Sequence, residues 1–372
     1  MSQEFIKVAI PHVDEQEVAA VKEVLLSGNY VSGAKVKEFE QRFAEYIGTK
    51  YAVAVSNGTS ALYIALETMG AGRGDEVIVP PMTFFATVAS VLYLGAVPVF
   101  ADIDPDDLCL LPQSVEEKIT PKTKAILPVH LYGAAAKMDE LLAISEKHGI
   151  PVLEDCAQAH GTEYKGKKVG SFGHAGAFSF FATKHMTTGE GGMITTNDHE
   201  MSEQCRIIRS HGMTGRDDHV RLGFNNRMTE MEAAMGLVQL KKLDSLNKKR
   251  IDNSEYLLDK IKDLPWIQIP VLINNVKHTY FWCPIMVKPE SGKTIDDLKK
   301  HLTNSNIGFR QRYSEPLYKQ PVLKNLGLDY SKEFLPNAER IAGNVIGLPN
   351  HPGLGETELN RIVRVLEAFG KQ

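Results

Sequence analysis

Tyr51-Ala52-Val53-Ala54-Val55-Ser56-Asn57-Gly58-Thr59-Ser60-Ala61-Leu62 is the stretch that decides the fold. Its first five residues are an apolar run of strand length. Ser56 to Ser60 are turn formers and helix caps, and from Ser60 the apolar residues recur with helical spacing to Met69. A strand that turns at once into a helix is half of a βαβ unit. The pattern continues outward. Strand-like runs occupy residues 76–80, 97–102, 124–130 and 151–155, with a helical segment at 138–147. Two more runs, 175–181 and 193–196, have no long helix between them and are expected to pair around a Gly-rich connection. Strand alternating with helix predicts a largely parallel sheet covered on both faces. Upstream, residues 14–26 read as a helix with Val18, Val21 and Leu25 on its apolar face, capped by Asp14 and stopped by Gly28. Residues 35–47 read as a second, burying Val36, Phe39, Phe43 and Ile47, with Gly48 as its stop.

The expectation is therefore an α/β protein: a large domain (1–250) with a seven-stranded, mostly parallel sheet, then a smaller α+β domain (251–372). Residues 227–259, rich in helix formers, should link the two lobes as one or two long helices. Beyond them come a strand-like run at 280–287, a helix at 295–304 and a final helix from Glu356 to about Phe369, capped by Gly355 or Glu356.

Bulk composition removes several function classes. A chain of 372 residues, 43% hydrophobic, can build more than one core. The formal net charge of −4, with both signs mixed along the chain, offers no grip on nucleic acid or on a membrane surface. The most apolar stretch, 86–100, is interrupted by Gly95 and Pro98 and is shorter than the roughly 20 residues a bilayer demands. Residues 1–17 lack the pattern of a signal peptide. Cys109, Cys156, Cys205 and Cys283 are widely spaced, which argues against a disulfide scaffold or zinc motif and for a reducing compartment, the cytoplasm.

In parallel α/β sheets ligands sit beyond the carboxyl ends of the strands. Three of those ends carry polar groups that belong together. Ser56 to Ser60 open a helix whose first N–H groups and hydroxyls suit a phosphate. Asp155 ends the apolar run Val152-Leu153-Glu154-Asp155, where a part-buried carboxylate requires a partner such as a protonated ring nitrogen. Lys184 leaves the strand in Phe178-Ser179-Phe180-Phe181-Ala182-Thr183-Lys184 toward Gly189, Gly191 and Gly192; a desolvated lysine there can bond covalently to an aldehyde. Taken singly, each has a plainer reading: N-capping by Thr59 or Ser60, helix capping by Asp155, a solvated loop lysine. Taken in order along one domain, they match pyridoxal phosphate, which needs a lysine, an acid for its ring nitrogen and a phosphate seat. The competing motifs fail. Gly70-Ala71-Gly72-Arg73-Gly74 precedes a strand and is a turn rather than a dinucleotide loop, no P-loop is present, and His130, His160, His174, His185 and His211 lack metal-ligand spacing, so no metal is expected.

With these motifs in hand the chain resembles the DegT/StrS-type sugar aminotransferases, a branch of the fold-type I pyridoxal-phosphate enzymes. The resemblance rests on residues 56–62, on Pro81-Met82-Thr83-Phe84-Phe85-Ala86-Thr87, on Glu154-Asp155-Cys156-Ala157-Gln158-Ala159-His160-Gly161, on 179–184, on Thr188-Gly189-Glu190-Gly191-Gly192, on Gly223-Phe224-Asn225-Asn226-Arg227-Met228 and on Leu348-Pro349-Asn350-His351-Pro352. It implies that Lys184 carries the cofactor and that Asp155 faces the ring nitrogen. Gln158 would lie near the ring hydroxyl and Phe84 on the ring face. Thr59, Ser60 and Ser179 would bind the phosphate, and Asn225 would reach it from the neighbouring subunit of a homodimer with a shared active site. Glutamate is the implied amino donor and a nucleotide-linked keto-sugar the acceptor, with Thr187 to Gly192 resembling members that aminate C4.

Phe84 could equally be core, Asn225 a turn former and Gln158 a satisfied polar group at the sheet edge. Members with histidine in place of the lysine are sugar dehydratases, and Lys184 argues for transamination instead. His185 is not the usual neighbour of that lysine. A regulatory protein on the same fold is the non-enzymatic alternative. In the C-terminal part Arg310, Arg312, Tyr313 and Lys319 are candidates for substrate contact, and spacing does not choose among them.

Overall fold

The structure, a computed structural model, describes residues 4–271 and 273–371. Helices α1 (Glu15–Ser27) and α2 (Ala34–Ile47) precede the sheet, and both end at a glycine in the left-handed conformation, Gly28 and Gly48. Strands β1 (Tyr51–Val55), β2 (Glu76–Val79), β3 (Val97–Phe100), β4 (Thr123–Ile126) and β5 (Leu153–Asp155) then alternate with α3 (Gly58–Thr68), α4 (Ala86–Tyr93), α5 (Pro112–Glu117) and α6 (Met138–His148). A short hairpin, β6 (Glu163–Tyr164) with β7 (Lys167–Lys168), leads to β8 (Ala175–Ser179) and β9 (Gly192–Thr196).

All seven expected runs are strands, but they form two sheets, β3-β2-β4 and β1-β9-β8-β5. Two isolated parallel bridges, Ile126 with Val152 and Val129 with Asp155, link them. Pro128 and Pro151 flank this seam, and a proline has no N–H to donate, so a continuous ladder cannot form there. Within these two sheets, among the described residues, only β9 runs antiparallel to its neighbours, so the carboxyl ends of β1, β5 and β8 share one edge. Strands β5, β8 and β9 are buried at every residue, which is why they read as continuous rather than alternating runs.

Helix α2 behaves as its periodicity demands. Phe39 and Phe43 are fully buried, and Phe43 packs edge-on to Phe178 and Phe180 from the sheet at 5.0 and 5.4 Å. Helix α1 does not. Its expected apolar face is turned outward, with Val18 54% and Leu25 50% exposed, while Glu17 and Val24 are buried. The reason lies on α8 (Glu230–Ile261), whose Gln239 Nε2 and Lys242 Nζ bond Glu17 Oε1 at 2.7 and 2.8 Å and set the rotation of α1.

Between the sheet and α8 come α7 (His199–Arg209) and a hairpin of β10 (Met213–Gly215) and β11 (Asp218–His219). The region 227–259 proves to be one helix, α8, of 32 residues, opened by a capping box of Thr229 and Glu232. Then follow β12 (Ile267–Gln268), β13 (Val276–Lys277), β14 (Cys283–Val287), α9 (Ile295–Asn304), α10 (Pro321–Asn325), α11 (Pro336–Ile341), β15 (Val345–Leu348) and α12 (Glu356–Gly370). The antiparallel sheet β12-β14-β15 builds a second core with α9 and α12 around Trp266, Ile285, Leu298, Ile346, Ile362 and Phe369, which Ile6 joins from the N-terminal segment. Leu317, Leu323, Ala338 and Ile341 pack instead on the first core. Among the described residues no helix is long and apolar enough to cross a membrane.

Candidate active site

Asp155 closes β5 and is almost fully buried. Its Oδ2 accepts the hydroxyl of Thr87 at 2.9 Å and its Oδ1 the backbone N–H of Ala157 at 3.1 Å, so it caps no helix. Burial raises its pKa above the ordinary carboxylate range; the two hydrogen bonds and the charge of Lys184 oppose that only in part. The acid is thus short of a cationic partner. Thr87 lies in the first turn of α4, where it also meets Thr83 at 3.3 Å. Thr87 belongs to the stretch 81–87 that carries the resemblance, but its role was not legible there.

Beside Asp155, His130, Glu154 and Cys156 lie close enough to suggest a metal site. Each of the first two is already engaged. Ala136 N–H donates to His130 Nδ1 at 3.0 Å, so Nε2 carries the proton and donates to Glu154 Oε2 at 3.0 Å. The Glu154 carboxylate also accepts the N–H groups of Gly170, Phe172 and Gly173. This is a fastening for the loop that precedes β8.

Strand β8 ends at Ser179, earlier than expected, and a single bridge from Phe181 to Gly189 closes the loop that carries Lys184. Burial, seconded by the charge of Arg312 and opposed by Asp155, lowers the Lys184 pKa to about 8, so about a tenth is neutral amine at pH 7. Its Nζ stands 4.7 Å from the centroid of the Phe281 ring.

The third element is the start of α3. Its cap is Asn57, whose side chain accepts Ser60 N–H at 2.8 Å, rather than Thr59 or Ser60. The Ser60 hydroxyl lies 3.1 Å from that of Ser56 and donates to Asn226 Oδ1 at 3.3 Å. Gly58 and Gly192 let the helix start press against the sheet: a Cβ on Gly58 would come within 2.7 Å of Ser179 Cβ, and one on Gly192 within 2.4 Å of Asn57 O. Ser179, at the end of β8, is thereby held against the α3 N-terminus. Thr59 is half-buried at the same place.

Around these three the remaining candidates sort themselves. Gln158 is buried and satisfied: its Oε1 accepts Tyr132 N–H at 3.1 Å and its Nε2 donates to Tyr313 OH at 3.0 Å. Tyr132, Tyr280 and Tyr313 all have positive φ, and such strain gathers at functional sites. Phe84, 54% exposed, is not core; it stands one turn before Thr87 at the head of α4. Asn225 is exposed between Phe224 and Asn226, bridged by its backbone to Ser210. Asn226, its neighbour, reaches Ser60 within the chain. Lys319 is paired with Glu339, whereas Tyr313 bonds Gln158 and the charge of Arg312 reaches Lys184. Tyr132 and Phe281 carried no site signal in the sequence, and Asn226 stood in the motif 223–228 without a role of its own, because each acts through a neighbour distant in the chain.

The sequence profile of the DegT/DnrJ/EryC1/StrS aminotransferase family matches residues 11–367. A pleiotropic regulatory protein of Geobacillus stearothermophilus is 39% identical, over 93% of this chain and 92% of its own length. GDP-perosamine synthase of Caulobacter vibrioides is 38% identical, over 97% of both chains. Among solved structures, Helicobacter pylori PseC, an aminotransferase involved in the biosynthesis of pseudoaminic acid, superposes with a TM-score of 0.93 at 31% identity, covering 99% of this chain and all of its own (100%). The chain belongs to the DegT/DnrJ/EryC1/StrS aminotransferase family.

Proposed function

We propose that the protein uses pyridoxal phosphate to move an amino group from glutamate to a nucleotide-linked keto-sugar. One observation carries the reading: Lys184, with its lowered proton affinity, and the under-compensated buried Asp155 share a sheet edge with a helix N-terminus built for a phosphate. The donor set fits the cofactor. Asp155 lacks a full counter-charge and would hold a ring nitrogen protonated; the α3 N-terminus with Thr59, Ser60 and Ser179 would hold the phosphate; Phe84 would cover the ring, and Gln158 would face its hydroxyl. Bound there, the cofactor supplies an electron-withdrawing ring that lets an amine's α-carbon release its proton.

The chain's own residues do the rest. Lys184, as neutral amine, takes the proton from the α-carbon of glutamate and later returns one to the sugar carbon that receives nitrogen. Asp155, its carboxylate held by the Thr87 hydroxyl, would keep the ring nitrogen protonated. We assign the first 250 residues to the cofactor-binding domain, and residues 251–372 to a smaller domain that lends Phe281 and Tyr313 to the cleft. Phe84, Tyr93, Leu222 and Phe224 are exposed, the last two within three residues of Asn225, and a second copy covering such apolar surface would bring its own Asn225 to this phosphate seat, making the homodimer the working unit. The four buried, unbridged cysteines agree with a cytoplasmic enzyme.

The test is Lys184→Ala, expected to abolish turnover and the absorbance of the lysine-bound cofactor. Near-normal turnover in this variant would refute the role. Incubation with glutamate alone, followed by product analysis after adding the sugar, separates the alternatives: a dehydratase yields no new amine and a sensor need not convert the cofactor. NMR of the amino sugar reads its position, for which amination at C4 is expected from the resemblance of residues 187–192.

A further inference from the structure

Phe281 sits just ahead of β14 and is nearly inaccessible to solvent. Its backbone is clamped to the turn Leu131–Gly133. Phe281 N donates to Tyr132 O at 2.8 Å, and Thr279 N to Gly133 O at 3.1 Å. The approach is so close that a Cβ on Gly133, itself at φ +96°, would lie 2.7 Å from Tyr280 N. Tyr280 takes φ +47° to make the bend. The ring is then fixed by Trp282, stacked at 4.7 Å and 25°, and by His185 at 5.6 Å. Against this clamped ring lies the Lys184 Nζ, 4.7 Å from the centroid.

We infer that Phe281 is a positioning residue: its ring is the seat of the Lys184 amine whenever that amine is not bonded to the cofactor. The inference rests on the reading of Lys184 as the cofactor lysine. Between taking one proton and returning another, this amine must hold a charge in a desolvated pocket. Asp155 favours that charge, but under the proposed function its carboxylate would serve the ring nitrogen. Arg312 opposes that charge; His160 and His185 beside the lysine are kept neutral by burial and supply no counter-charge, and Arg250 is a further buried cation near those histidines. Tyr313 is pushed up by burial and stays a neutral phenol. An aromatic face attracts an ammonium yet can neither accept its proton nor form a permanent ion pair with it. This accounts for a strained, doubly hydrogen-bonded turn whose visible product is the placement of one phenyl ring. His185, the unusual neighbour of the lysine, packs on the same ring and helps to fix it.

The test uses full-length protein loaded with pyridoxamine phosphate, in which Lys184 is free. Its titration is followed by the pH dependence of acetylation with a small activated ester, read on the Lys184 peptide by mass spectrometry. In Phe281→Leu the midpoint should fall by about half a pH unit to one and a half units, the size of a cation–π contact. The acidic limb of the glutamate half-reaction should move to lower pH by the same amount, and Phe281→Tyr should restore both. If Phe281→Leu proves unstable, Phe281→Met replaces it. An unchanged Lys184 midpoint in a folded aliphatic variant, or no restoration by tyrosine, overturns the inference. Failure of the functional reading is seen separately, as cofactor absorbance surviving in Lys184→Ala.

Discussion

Replacing Thr87 with valine removes one hydroxyl and keeps the shape of the side chain. Thr87 is buried, and its hydroxyl donates to Asp155 Oδ2 at 2.9 Å, so no water can take its place without rearrangement. A hydrogen bond to a charged group is worth about 1.5–3 kcal/mol, and one pKa unit corresponds to about 1.4 kcal/mol. The Asp155 carboxyl should therefore rise by a further one to two units or so above its already raised value. The consequence for cofactor binding follows with a definite sign. With the ring nitrogen protonated opposite it, Asp155 is ionised, and the variant loses the bond in that state. Where the acid of the cofactor-free protein is protonated, nothing comparable is lost there, and affinity should fall about ten- to a hundredfold. As the pH rises through the cofactor-free pKa, both states lose the bond and the difference shrinks. Absorbance titration with pyridoxal phosphate across the stable pH range reads this directly. Wild-type affinity at every pH in a folded Thr87→Val protein would show that the hydroxyl does not support the acid and that the ring nitrogen is not held as argued.

Two further outcomes are expected. A carboxyl whose folded pKa lies above its unfolded value costs stability once the pH exceeds the unfolded value, because the unfolded chain ionises more readily. Asp155→Asn should thus raise the melting temperature of the cofactor-free protein at neutral pH, with little gain below the unfolded pKa, while removing activity; a lower melting temperature would contradict the account of Asp155 as an under-compensated charge. On α1, Leu26 is 79% exposed beside half-exposed Val18 and Leu25. If a second copy covers this face, Leu26→Glu should shift the protein toward monomer in sedimentation velocity, whereas an unaltered distribution would remove α1 from the interface.

The alternation of strand and helix, the buried faces of α2 and α3, and the polar groups at the ends of β1, β5 and β8 were legible in the sequence. Each is written in residues a few positions apart, and local periodicity reports what one element must bury. Tertiary structure alone decided the rest. The outward turn of α1 depends on Glu17 meeting Gln239 and Lys242 more than 200 positions away, an attraction that outranks its apolar stripe. The seam between β4 and β5 depends on two prolines that only the sheet sets side by side. Thr87 beneath Asp155, Asn226 on Ser60 and Phe281 under Lys184 are contacts between side chains about 70 to 170 positions apart. No spacing rule reaches across such distances, because the chain between them is free to vary until the sheet brings their ends together.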